Sequence, residues 1–375
     1  VTDRSQFVAA YRARQEKARH QLEVSGVDAL LVTLGRELPW LTGYEAMPLE
    51  RITCLYLDVA GNTRLLVPKL EAPRVRELEG LELVGWTDGE DPFAILGSMV
   101  GNAPRLAIDD RFQAGWLLPL MAQVPNAVFV SGTKLLSGLR AHKDSLEVAL
   151  LEAAAQAADR VADRLLRGEI AVTHRVERDV ATDIAQALLD EGHSKVNFTI
   201  VGSGPNSASP HHEPSMRTIM PGDALVLDFG GTFTVGDEPG YCSDMTRTFV
   251  VGEPPAGFVE LYDVLYRAQS EARAMIRVGM SGRDADMVAR KVINDGGYGD
   301  YFVHRLGHGI GLDEHEDPYL SGDNDLSLEA GSAFSIEPGI YIPGKMGARI
   351  EDIVFLDEAG VRSLNQAPRE LAVLQ

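Results

Sequence analysis

Gly222-Asp223-Ala224-Leu225-Val226-Leu227-Asp228-Phe229-Gly230 and Gly331-Ser332-Ala333-Phe334-Ser335-Ile336-Glu337-Pro338-Gly339 follow one pattern. Each reads glycine, any residue, alanine, apolar, any, apolar, acid, any, glycine, and the two begin 109 residues apart. In each an acid ends a strand-like apolar run, and a second acid follows on another such run: Asp244 after the first, Glu351 after the second. A duplicated β-unit that presents two acids per copy accounts for both, so an internal repeat is expected in this part of the chain.

Upstream of the first copy lies a long alanine-rich helix. Asp144 with Glu147 three residues on makes a capping box, and Leu150, Ala154, Ala157, Val161 and Leu165 then recur on one helical face, with Gly168 as the stop. Composition shifts before it, around Ser131-Gly132-Thr133 and Ser137-Gly138, which places a domain boundary within residues 131–143. The chain therefore divides into residues 1–135 and 136–375. In the first part strands are expected at Ala29–Leu34, Cys54–Val59, Leu65–Val67, Leu106–Ile108 and Ala127–Val130, with a hairpin turn at Ala60-Gly61-Asn62. Helices are expected near Gln6–Val24, Glu71–Leu78 and Pro92–Met99. This is a small α/β domain without a cluster of reactive side chains.

The totals narrow the function. The chain has 375 residues, 55 of them acidic against 35 basic, for a formal net charge of −20. Such a surface repels phosphate backbones and anionic lipid, so neither nucleic acid nor a membrane is expected as a partner. No apolar run approaches the ~20 residues of a membrane span. The two cysteines, Cys54 and Cys242, lie far apart, and a cytoplasmic location is expected.

The chemistry concentrates in the second part. In order stand His211, His212, Asp228, Asp244, His304, His308, His315, Glu337, Arg349 and Glu351, with four of the acids set among Val, Leu, Ile and Phe. A buried carboxylate is costly unless paired, hydrogen-bonded or metal-bound, and four converging carboxylates repel one another. Two divalent cations would balance them, and carboxylate with imidazole suits Mn, Co, Fe or Zn. No cysteine lies among these residues, which argues against a structural zinc knot. Five protein ligands leave coordination positions open, an arrangement for hydrolysis in which a bridging hydroxide attacks a polarised carbonyl.

Taken singly, each residue has a blander explanation: an acid at a strand end is usually a salt bridge or a cap, and His20, His142, His174 and His193 are assigned as surface or satisfied core residues. Other catalytic signatures are missing. His315-Glu316 is followed by Asp317-Pro318-Tyr319 rather than a second histidine, there is no G-x-S-x-G elbow, and Gly307-His308-Gly309-Ile310-Gly311 has no Walker lysine.

The strings Tyr241-Cys242-Ser243-Asp244-Met245-Thr246-Arg247-Thr248, His304-x-x-Gly307-His308-Gly309-Ile310-Gly311 with His315-Glu316, Ile336-Glu337-Pro338-Gly339 and Arg349-Ile350-Glu351-Asp352 resemble the pita-bread metallopeptidases, and among them the Xaa-Pro peptidases, prolidase and aminopeptidase P. Trp40-Leu41-Thr42-Gly43-Tyr44 is loosely similar to their creatinase-like N-terminal domain. The resemblance implies an α/β chain with a creatinase-like domain over residues 1–135 and a pita-bread catalytic domain with a pseudo-two-fold repeat over 136–375. It implies Asp228, Asp244, His308, Glu337 and Glu351 as metal ligands, with Asp244 and Glu351 bridging. Glu337 would also move the proton of the attacking water, His315 would donate to the oxyanion, and His211, seventeen residues before Asp228, is preferred over His212 as the remaining active-site histidine. His304 and Arg349 would line the substrate pocket, Arg349 also supporting the metal shell and the catalytic set. Asp228 and Asp244 are sixteen residues apart, wider than the resemblance implies, and the extra residues in Thr232–Gly240 are expected to lengthen a loop without shifting the strands.

The expected activity is hydrolysis of the Xaa-Pro bond, first as a dipeptidase, with aminopeptidase P action on longer peptides as the alternative and a noncatalytic peptide-binding protein as the alternative of another class. The expected cofactors are two divalent ions, manganese first, with cobalt or zinc as alternatives. Small proline-containing peptides are the expected partners, and a homodimer the expected assembly. A dipeptidase also needs a cation for the product-side carboxylate, for which Arg349 or Arg51 is available.

Overall fold

The computed structural model describes residues 3–374. They form two units, one running to Arg140 and including Val235–Pro239, the other 141–234 with 240–374.

The first unit follows the order α1 (Arg4–Val24), β1 (Ala29–Val32), α2 (Glu37–Thr42), β2 (Cys54–Asp58), β3 (Thr63–Pro68), β4 (Glu82–Trp86), α3 (Pro92–Val100), β5 (Arg105–Ile108), α4 (Ala114–Gln123), β6 (Val128–Ser131) and α5 (Gly132–Ala141). Its strands make one sheet in the order β4-β3-β2-β1-β5-β6. Leu31, Cys54, Leu66 and Leu106 of the sheet pack with Trp86, Leu96 and Trp116 into its core. All five expected strands form, and β2 and β3 pair as the expected hairpin. The helix expected over Glu71–Leu78 does not form. Only a 3₁₀ turn, Ala72–Arg74, is present, because so short a segment buries too little to offset helix nucleation. The stretch expected to carry the boundary is itself helical, as α5. Glu238, on the segment Val235–Pro239, is buried in this unit and accepts hydrogen bonds from Arg4 Nη1 at 2.9 Å, Arg76 Nη1 at 2.6 Å and the Tyr11 hydroxyl at 2.7 Å.

The second unit starts at α6 (Ser145–Leu166), where both arms of the Asp144–Glu147 capping box are made. Gly168 just past its end takes the left-handed φ of 72° that glycine tolerates. There follow α7 (Glu177–Asp190), β7 (His193–Ser203), β8 (Ala224–Phe233), β9 (Tyr241–Cys242), β10 (Met245–Val251), α8 (Phe258–Met275), α9 (Gly282–Asp295), β11 (Gly307–Gly309), β12 (Glu316–Leu320), β13 (Ala333–Ile336), β14 (Gly339–Ile342), β15 (Met346–Arg349), β16 (Asp352–Asp357), β17 (Gly360–Ser363) and β18 (Ala372–Leu374).

The repeat is real in three dimensions. One sheet runs β18-β10-β8-β7 and the other β12-β11-β13-β16-β17. The helix pair α6 and α7 precedes the first sheet's principal strands, and α8 and α9 precede the second. The strand period of two does the rest. Leu225, Leu227 and Phe229 of β8 enter one apolar core with α6 and α7 residues, and this burial contributes roughly 5–9 kcal/mol for three fully buried large side chains. Asp228 therefore emerges on the opposite face. In β13, Phe334 and Ile336 enter the other core with α8 and α9 residues, leaving Ser335 and Glu337 on the far face. Strands β10 and β16 lie antiparallel beside these two, so each copy sets its second acid next to its first.

Candidate metal centre

Antiparallel register decides what meets Asp228. Thr246 is its cross-strand partner and Met245 pairs with Phe229, so Asp244 falls immediately before the ladder. Thr232 pairs with Cys242 beyond it, so the wide Asp228–Asp244 spacing is absorbed after Phe233 without a slip of the strands. In the second copy Ile336 pairs with Asp352, which sets Glu337 and Glu351 side by side just beyond the ladder.

These placements converge on a cavity of about 610 Å³. Its lining includes Asp228, Asp244, His308, Glu337 and Glu351, together with His211, His304, His315 and Arg349. Ligand atoms of Asp228, Asp244 and Glu351 all lie within 4.8 Å of one another, and so do those of His308, Glu337 and Glu351, and of Asp244, His308 and His315. Asp244, His308 and Glu351 each belong to two of these groups.

The electrostatics favour cations here. Burial and the charges of Glu351, Asp228 and Glu337 push the Asp244 carboxyl far above its usual range. Burial, Glu337 and Asp228 do the same to Glu351. Glu337 moves the other way: burial opposes it, but the His308 hydrogen bond and charge hold it at about 2. Asp228 is raised by burial, which Arg349 partly offsets. Its Oδ1 is buried with no hydrogen-bond partner, whereas Oδ2 accepts from Arg349 Nη2. One of the four negative charges is thus matched by an arginine, where the sequence led us to expect all four to need metal. The other three carboxylates crowd together, and an unpartnered buried oxygen aimed at them has the chemistry of a ligand to a hard divalent ion.

The imidazole is oriented to match. His308 Nδ1–H donates to the Gly309 carbonyl at 3.2 Å, which turns Nε2 toward the acids, 3.2 Å from Glu337 Oε1, to which it donates, and 3.8 Å from Asp244 Oδ2. A second bond of this kind fixes the tautomer of a metal-binding histidine. Ser335 supports both residues, its hydroxyl accepting from the His308 N–H and donating to Glu337 Oε1, each at 3.0 Å. Gly307 explains the glycine before His308: a Cβ there would lie 2.0 Å from the Ser335 carbonyl oxygen, so the two strands approach this closely only with glycine.

Around this cluster the remaining expected residues separate. Arg349 donates to Asp228, to Thr246 Oγ1 at 2.9 Å, to the Tyr341 hydroxyl at 2.7 Å and to the Pro210 carbonyl at 3.2 Å. Its donors are committed to the protein, which makes it a brace for Asp228 more than a contact for substrate. Thr246 in turn donates to Glu351 Oε2 at 2.8 Å. His304 donates through Nδ1 to the Arg305 carbonyl and accepts through Nε2 from Tyr341; burial lowers its pKa. His211 lines the cavity, while His212 is bound to Glu177 at 2.9 Å. Glu177 also accepts from Ser203 and Ser215. The His315 ring lies 3.9 Å from that of His308. Desolvation and the positive neighbours His308 and Arg305 lower its pKa to about 4. It is therefore a neutral imidazole whose Nδ1 accepts from Arg305 Nη2 at 3.4 Å, leaving Nε2–H as the donor.

Several contributors escaped the sequence analysis. Tyr341, Ser335, Glu177 and Arg305 carried no motif of their own. Phe198 and Ile200, which give the cavity an apolar wall, look like ordinary strand residues. Arg51 pairs with Asp88 and Glu50 within the first unit.

Comparison with known proteins gives these groups a context. Residues 149–358 match the metallopeptidase family M24, and residues 14–142 match the creatinase/prolidase N-terminal domain. The chain is 44% identical over 355 residues to a probable dipeptidase PepE of Mycobacterium tuberculosis strain ATCC 25618 / H37Rv, covering 93% of each. It is 34% identical over 372 residues to an Xaa-Pro dipeptidase of Lactobacillus delbrueckii subsp. lactis, covering 96% of this chain and 98% of that one. The crystal structure of dipeptidase PepE from Mycobacterium ulcerans matches with a TM-score of 0.91 at 43% identity over 98% of both chains.

Proposed function

This chain belongs to metallopeptidase family M24, and from that premise we propose that it is a prolidase-like Xaa-Pro dipeptidase. The observation that carries this reading is the cavity in which Asp228, Asp244, His308, Glu337 and Glu351 offer mutually close ligand atoms. These five residues would hold two divalent ions, manganese first. When bound, such ions supply Lewis acidity and a water of lowered pKa.

The protein's own groups do the rest. Glu337, a carboxylate at neutral pH beside His308, takes the proton of the attacking water and returns it to the prolyl nitrogen, which carries no hydrogen of its own and cannot leave as an anion. The neutral His315 donates Nε2–H to the carbonyl oxygen as negative charge develops on it. His211 completes the wall at Pro210, and Phe198 and Ile200 exclude water from the pyrrolidine ring. His304 is held by Tyr341, which Arg349 holds in turn. A cytoplasmic homodimer is part of the same proposal. The location is supported by two buried cysteines that form no disulfide, and the dimer by the family resemblance.

The test uses protein stripped with a chelator and reloaded with Mn, Co or Zn, assayed on Leu-Pro and Leu-Pro-Gly. Turnover of Leu-Pro that depends on the metal and exceeds that of the tripeptide is expected. Tripeptide preference, or no turnover with any of the three metals, overturns the assignment.

A further inference from the structure

We infer that His193 is a positioning residue for the metal ligand Asp244: it holds the Ser243 hydroxyl where the β8–β10 ladder opens, and so fixes the peptide that carries the Asp244 carboxylate. The inference rests on the assignment of Asp244 as a ligand and names a residue that stands behind it. The ladder keeps one register on both sides of Asp244, with Thr232 opposite Cys242 and Phe229 opposite Met245. Ser243 and Asp244, between β9 and β10, lie outside it. In a regular antiparallel pair Gly231 and Ser243 would exchange two backbone hydrogen bonds. One of these runs as usual, from Ser243 N–H to the Gly231 carbonyl at 2.8 Å. The return bond is replaced: Gly231 N–H donates to the Ser243 hydroxyl at 3.1 Å. The Ser243 carbonyl is turned over Gly230, where a Cβ would lie 2.2 Å from its oxygen, a closeness that glycine permits.

His193 sets that hydroxyl. Strand β7 slips register against β8 twice, between His193 and Lys195 and between Val196 and Phe198, and such bulges re-aim side chains. The buried His193 ring comes to rest over Gly231, where a Cβ would lie 2.8 Å from its Cδ2. Nδ1 is 3.1 Å from the Leu188 carbonyl, which can only accept, so Nδ1 carries the hydrogen. Burial lowers the ring's pKa to about 4, so at neutral pH Nε2 is a bare acceptor. It takes the Ser243 hydroxyl hydrogen at 2.7 Å, in preference to the Gly231 carbonyl at 3.4 Å. The hydroxyl oxygen then faces the Gly231 N–H as acceptor, and every bond in the chain from Leu188 to Gly231 has one direction. Without the hydroxyl, the Gly231 N–H is left buried with the Ser243 carbonyl as its nearest remaining acceptor. Taking it closes the ladder and rotates the peptide from which Asp244 extends.

The test titrates chelator-stripped protein with Mn by calorimetry and records the visible spectrum of the Co-loaded form, two readouts independent of turnover. We expect Ser243→Ala and His193→Phe each to weaken binding of at least one ion by about 10- to 100-fold and to shift the cobalt bands alike. The double variant should bind no worse than the poorer single one, because the two residues act as a unit. His193→Gln, whose carboxamide oxygen can accept the hydroxyl, should recover part of the affinity lost in His193→Phe. Wild-type Mn affinity in Ser243→Ala, even with a lowered melting temperature, overturns the inference. So do losses that add in the double variant, or a His193→Gln no better than His193→Phe. Should His193→Phe not fold, the Mn affinity of Ser243→Ala decides alone. A wild type that binds neither metal defeats the ligand assignment of Asp244 instead.

Discussion

Arg349 and Asp228 form a buried ion pair in which Asp228 is held by one oxygen only. Nη2 of the arginine donates to Oδ2, while Oδ1 stays buried without a partner. The arginine thereby fixes one carboxylate oxygen, and the other is the one that would serve the proposed ligand role. Breaking such a pair from one side costs about 3–5 kcal/mol because the surviving charge is uncompensated. We expect Arg349→Gln to weaken metal binding and to lower kcat/KM for Leu-Pro by about 100-fold. Metal titration by calorimetry beside steady-state kinetics checks this, and wild-type metal affinity in the variant would contradict the bracing role.

Asp244 has two expected consequences that point in opposite directions. Asp244→Asn should reduce the bound metal from two ions to one or none by elemental analysis, and turnover with it. In chelator-treated protein the same change removes a carboxyl whose charged form is disfavoured by burial and then by Glu351, Asp228 and Glu337, so the metal-free variant should melt above the metal-free wild type, by about 1 kcal/mol of stability. A metal-free variant that melts lower would show that the acids do not strain the fold.

Gly307→Ala tests the close approach behind His308. The added Cβ meets the Ser335 carbonyl oxygen at 2.0 Å, and pushing β11 from β13 should cost about 1–3 kcal/mol. Because His308 and Glu337 both lean on Ser335, metal affinity should fall along with the melting temperature. Gly322→Ala, where nothing lies within 4 Å of the new Cβ, is the control and should melt as the wild type does.

Glu177 supplies a pH dependence remote from the metal. Burial raises its pKa, but hydrogen bonds from Ser203, Ser215 and His212 win and bring it to about 2, against an ordinary 4.5. A depressed carboxylate contributes stability that is present above pH 4.5 and lost as the pH falls toward 2. The contribution is of order 3 kcal/mol. Urea midpoints of the wild type should decline over that window more steeply than those of Glu177→Gln, which starts lower and stays flatter. Parallel curves would refute the linkage.

How much of this was legible depended on whether a residue's meaning is local. The ligand candidates stood out because an acid inside VLDFGG or SIEPG contradicts its own apolar surroundings, and such conflicts mark sites. The capping box at Asp144 was equally local. By contrast, choosing between His211 and His212 on the residues alone needs the position of Glu177, thirty-five residues from His212 and on another element. Tyr341 and Ser335 act through geometry that no spacing announces. Within the first unit β4 went unseen because its residues are largely exposed or half-buried, so it lacks the apolar run of a central strand. Helix α4 carries Pro119 in its interior, which in sequence argues for a break. The helix expected at Glu71–Leu78 failed for the opposite reason: its pattern was present, but there was too little of it to bury.

The chain leaves the catalytic fold after Thr234, spends Val235–Pro239 in the first unit and returns at Gly240. Dissection by a single cut is therefore impossible. A fragment ending at Arg140 would strand Arg4, Arg76 and Tyr11 around the vacancy left by Glu238, and the complementary fragment would carry a severed hydrophilic finger between its two aspartates. Work on either half in isolation calls for this finger to be grafted onto the one and trimmed from the other.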